Sequence, residues 1–175
     1  SNSNLATQNG LRVKATGAVT YQPVGDNFTE AITFPLNSYH VLAEGASSLT
    51  IGRDIGSRAH TDTVTIANDI SVNGPLRIYA DTINLNSNIT TTGGGVAGDV
   101  LAKASGNISL AAAKTISTSG GDVVLWSNSD GGADTGSVLL RDGSSITTSG
   151  GHLWAGGGSG SITWNGLTVG NGYAV

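Results

Sequence analysis

The chain has 175 residues, of which 27 are glycine and only 11% are charged, with no cysteine and a formal net charge of −4. That balance excludes a disulfide framework and a thiolate metal site, and the lack of a basic stripe excludes nucleic acid as a partner. Disorder is excluded too, because 38% of the residues are hydrophobic and many are β-branched and alternate with polar ones.

In chain order, residues 1–47 are the least regular. The runs GLRVKA at 10–15, AVTYQP at 18–23 and AITFPL at 31–36 can be drawn as one coil or as a capping layer, with GDNFTE between the last two. Pro23 and Pro35 belong at strand ends, since proline cannot donate to a ladder.

Residues 48–175 read as a repeat of three strands per unit. The first unit is SLTIGR, TVTIAN and DISVNG; the second is PLRIYA, TINLNS and NITTTGG. The third is DVLAKA, NISLAA and TISTSGG, and the fourth is DVVLWS, SVLLRD and SITTSGG. HLWAGG, SITWNG and GLTVGNG supply a last unit at 152–172. Third strands then start at Ile70, Ile89, Ile116, Ile146 and Leu167, at spacings of 19, 27, 30 and 21 residues. Units of this size match single coils of a parallel β-solenoid.

Alternation places every second side chain inward. Inward positions are Leu76 and Ile78, Val100 and Ala102, Val123 and Leu125, then Leu153 and Ala155, in the first strands. Second strands contribute Ile83 and Leu85, Ile108 and Leu110, Val138 and Leu140, then Ile162 and Trp164. The expected fold is all-β: a parallel β-helix of five to six coils, with a core roughly 25–30 Å long at about 4.8 Å per coil. A β-sandwich also alternates, but it does not predict three ladders of matching residue type.

Phrases such as GPLRIYADTINLNSNITTTGG and GSVLLRDGSSITTSGG resemble the repetitive regions of filamentous-haemagglutinin-like bacterial adhesins, including two-partner secretion exoproteins. The resemblance runs from about Gly10 to Gly172. It implies a right-handed parallel β-helix, secretion, display at the bacterial cell surface, and roles in adhesion or biofilm. It also implies an internal or tail module of a longer chain, because the secretion domain of that family has no counterpart here.

Three surface features could carry binding. Outward residues of the first strands form a strip in which Tyr79, Trp126 and Trp154, with Lys103, are expected to be exposed and able to stack on sugars or contact protein. A covering N-terminal region or long loop is the competing expectation for that strip. Outward Thr90, Thr92, Ser117, Ser119, Thr147 and Ser149 form a hydroxyl ladder on the third strands, of the kind that could order water as ice-binding solenoids do. Ser and Thr are also ordinary residues of a solvated strand face.

Acidic turns are the third feature. Asp69, Asp81, Asp99 and Asp122 recur at strand junctions, and Asp130 and Asp134 share one Gly-rich loop. Calcium needs six to eight oxygens and the nonapeptide calcium repeat is absent, so Asp130 and Asp134 remain a candidate pair and no cofactor is assigned. His40, His60 and His152 show no metal spacing, no nucleophile elbow appears, and no enzyme is expected. The expected role is a stalk or fibre module of a secreted adhesin, whose open sheet edges at the solenoid ends could stack end to end into filaments. Its partners would be neighbouring copies, or host and biofilm glycans and proteins, with no insertion into a membrane.

Overall fold

Alternating β-branched and small polar residues give each run one apolar side. In the computed structural model these runs wind into a β-solenoid of about five turns. Residues 15–35, 45–132 and 136–172 are described. The expected strand at 10–15 lies almost wholly outside them, as do His40 and Asp134.

The first turn contributes β1 (Ala18–Tyr21) and β2 (Ile32–Phe34). The next is β3 (Ser48–Ile51), β4 (Thr63–Ile66) and β5 (Ile70–Val72). It is followed by β6 (Leu76–Ala80), β7 (Thr82–Leu85) and β8 (Ile89–Gly94). Then come β9 (Val100–Ala104), β10 (Ile108–Leu110) and β11 (Thr115–Ser119). The last full turn is β12 (Val123–Trp126), β13 (Val138–Leu140) and β14 (Ser145–Thr147). After it run β15 (Leu153–Trp164) and β16 (Leu167–Gly172).

Three sheets result. Sheet one has the order β1-β3-β6-β9-β12-β15-β16, sheet two β13-β10-β7-β4-β2, and sheet three β14-β11-β8-β5. All neighbours are parallel except β15 and β16.

The register stacks like upon like. One column runs Val19, Leu49, Leu76, Val100, Val123, Leu153 in sheet one. Another runs Phe34, Ile66, Leu85, Leu110, Leu140 in sheet two. A third runs Ile70, Ile89, Ile116, Ile146 in sheet three. Inner members of these columns are buried in one continuous core. Each turn alone buries little, so stability comes from stacking.

The last expected unit is not a coil. β15 follows β12 only over Leu153–Gly156, then pairs antiparallel with β16, so Leu167 faces Trp164 instead of Ile146. Ile162 is half exposed and Trp164 does not enter the core column. Two local causes are visible. The stretch GGGSG offers no apolar side chain to the axis, and Asn165 (φ 47°) with Gly166 (φ 81°) makes a two-residue turn with both φ positive. That geometry suits an antiparallel hairpin.

Candidate functional site

The outer face of sheet one lines up as expected but does not meet water. Tyr79, Lys103 and Trp126 stand in one register column, and Leu101, Val124 and Trp154 in the next. Yet Tyr79 is 7% exposed, Lys103 9% and Trp126 5%. The expectation of an exposed binding strip is corrected on this point.

Two segments cover it. The loop at 52–62 crosses Tyr79 and Lys103, where the Lys103 ammonium donates to Asp54 Oδ1 at 2.9 Å and lies 4.7 Å from the Trp126 ring centroid. The β15–β16 hairpin covers the rest, packing Val169 against Val124 and Trp126. Trp126 Nε1 donates to the Gly158 carbonyl at 2.8 Å, and Trp154, half-buried, meets the Trp126 ring edge-on at 6.4 Å. An apolar patch of this size stabilises whatever segment can shield it from water. Burial pushes the Tyr79 phenol above its usual range, and the Asp54 charge adds to the effect.

The covering loop is itself clasped at the corner between sheets one and two. His60 is buried, with Nδ1 2.9 Å from Asn27 Oδ1, and its backbone N–H donates to Ser105 Oγ at 2.9 Å. The Phe28 N–H donates to Asp62 Oδ2 at 2.9 Å, and the Arg58 guanidinium pairs with Asp26. Loop 22–31 thereby lies on loop 52–62, which lies on β9. Sequence spacing could not show this, since the partners stand tens of residues apart. Among the described residues no group of three or more His, Asp or Glu is placed to hold a metal.

The recurring acids serve the ladder. Asp69 Oδ1 accepts the Asn88 N–H at 2.9 Å, Asp99 Oδ1 that of Asp122 at 2.9 Å, and Asp122 Oδ1 that of His152 at 2.6 Å. Each carboxylate caps a backbone donor one rung on, at corners where strand pairing lapses. The bond from the Asn88 N–H holds the Asp69 carboxyl below the usual range. Burial holds Asp99 above it, and the bond from the Asp122 N–H offsets this only in part. Asp81 Oδ1 accepts from the Ser105 hydroxyl at 3.3 Å. Asp130 Oδ1 accepts the Gly132 N–H at 3.2 Å, closing its own turn.

On sheet three the outward hydroxyls form one true column, Ser71, Thr90, Ser117 and Thr147. The second column, expected to hold Thr92, Ser119 and Ser149, is broken. The register slips between Thr118 and Ser119, so Ser119 faces Gly94, and Ser149 sits in a turn at φ 52°. A flat two-column lattice is therefore not formed.

The inward threonines explain the recurrent Thr-x-Gly-Gly phrase better. Thr91, Thr118 and Thr148 point to the axis, and their hydroxyls donate to the carbonyls of Gly98, Gly121 and Gly151. Those glycines stack without room for a side chain: a Cβ at Gly121 would overlap the Gly98 carbonyl, and one at Gly151 that of Gly121. A buried hydroxyl is satisfied and a tight corner is locked in one contact.

No family model matches the chain, and neither a curated protein nor a solved structure matches it.

Proposed function

We propose that the chain is a stalk module of a secreted bacterial surface adhesin, a stiff spacer that carries other parts of its protein away from the cell. The observation that supports this reading most is the continuous stacking of apolar residues in all three sheets, along the columns from Val19 to Leu153, Phe34 to Leu140 and Ile70 to Ile146. Such stacking resists bending because each rung is fixed by backbone bonds and by apolar columns at once. The apolar strip that would have suited a glycan or protein ligand is used to hold the chain's own loops and hairpin. That burial counts against a lectin-like reading of Tyr79, Lys103 and Trp126, whereas Trp154 is only half-buried.

The test is replacement in the producing bacterium. Deleting residues 15–172 from the surface protein should shorten its projections in electron micrographs and reduce adhesion. Inserting an unrelated solenoid of equal rung number should restore both. If only the native sequence restores adhesion, the segment is a binding module and the stalk reading fails.

A further inference from the structure

The last rung is bare where every inner rung is covered. Leu140 is 51% exposed and Leu153 44%, while their inner neighbours Leu110 and Val123 are 1% and 0%. Val138 and Ile146, at the ends of two more columns, are only partly buried. β13 and β14 are edge strands of sheets two and three. The segment Leu153–Gly156 pairs with β12 on one side, and the pairing with β16 starts only at Gly157. No described residue covers this end: after Gly156 the backbone turns sideways, and the Trp126–Gly158 bond fastens it to the outer wall.

We propose that this end binds the same end of a second copy of the chain, giving a closed two-fold dimer. The surface is the one that the fold buries between every pair of rungs, so its natural complement is another rung. A single extended peptide could pair with one edge but would leave the apolar ends of the other two sheets in water. A second terminal rung supplies three edges at the corners of the same triangle, together with the apolar residues inside it. A two-fold axis across the solenoid reverses strand direction, so the new pairs are antiparallel, the better-bonded arrangement.

Charge favours one placement of the axis. Arg141 and Asp142 are adjacent and exposed at the corner between β13 and β14. An axis through that corner sets Arg141 of each copy against Asp142 of the other, pairs β13 with β14, and pairs the Leu153–Gly156 segment with itself. An isologous contact of this kind closes at two copies. The inference does not rest on the stalk reading, which a monomer satisfies equally.

Sedimentation of the full chain over a range of concentrations tests it. The expected result is a monomer–dimer equilibrium that Leu140→Lys with Leu153→Lys shifts to monomer, with the circular dichroism spectrum unchanged. The chain has no cysteine, so Asp142→Cys under oxidising conditions should give a covalent dimer, and Thr65→Cys, on the outer face of sheet two, should not. A chain that stays monomeric at all concentrations overturns the proposal. Species that keep growing past two copies overturn it as well, in favour of head-to-tail stacking.

Discussion

The indole N–H of Trp126 donates to the Gly158 carbonyl at 2.8 Å, across 32 residues of sequence. It fastens the wall of the solenoid to the hairpin that closes over it. Trp126→Ala should therefore cost about 3–5 kcal/mol, the usual range for a buried aromatic truncation. Trp126→Phe keeps most of the packing and should lose about 1 kcal/mol, close to one hydrogen bond. Urea unfolding gives both values, and limited proteolysis should find Ala, but not Phe, newly cleaved within 153–172.

Position along a column sets the cost of the same deletion. Ile116 is fully buried between Ile89 and Ile146, while Ile146 ends the column. Ile116→Ala should lose about 2–5 kcal/mol. Ile146→Ala should lose clearly less in the monomer, since its site is already open to water. Equal losses in urea titrations would contradict the stacked-column account.

The glycine corner is intolerant for a reason that can be isolated. Gly121 has no room for a Cβ, whereas Gly25 has open space around it. Gly121→Ala should destabilise by about 1–3 kcal/mol through displaced backbone, and Gly25→Ala should stay within about 0.5 kcal/mol of the parent. Thermal unfolding of the two variants side by side decides it.

Acid titration separates the two kinds of corner carboxylate. Asp99, raised by burial, binds its proton at higher pH when folded than when unfolded. Its cost to stability is therefore absent below the unfolded value and complete above the folded one. Asp99→Asn retains an acceptor for the Asp122 N–H and should raise the melting midpoint by about 1–2 °C at neutral pH, with the gain gone near pH 3. Asp69 is lowered by the Asn88 N–H, so its contribution has the opposite sign. It is present above the unfolded value and lost as pH falls through the folded one, so Asp69→Asn should lower the midpoint at neutral pH only.

The columns of Ile, Leu and Val were legible because a period of two and a recurrent phrase both point to the same residues. Ile70, Ile89, Ile116 and Ile146 align in space as they do on paper. Alternation reports which residues share a face, but not what lies against that face. For this reason Tyr79, Lys103 and Trp126 could be aligned correctly and still be taken as exposed. Alternation also cannot tell a coil strand from a hairpin strand, which placed Leu167 in the wrong sheet. The signal that distinguishes them was local: Asn165-Gly166 between apolar runs, the dipeptide most typical of a two-residue hairpin turn. The clasp of His60 on Asn27 and Ser105 left no such mark, since it depends on loops meeting only after the rungs have stacked.

The three corners differ in what they tolerate. The glycine corner before β6, β9, β12 and β15 is filled to contact, whereas the corner between sheets one and two accommodates the long segments 22–31 and 52–62. Length is thus added mostly at one edge of the prism without shifting any column, although the short turn Gly95–Gly98 is an insertion at the glycine corner. A lineage of such chains could rewrite that edge, and with it the skin laid over sheet one, while the interior stays the same. Sequence divergence should collect along one side of the rod.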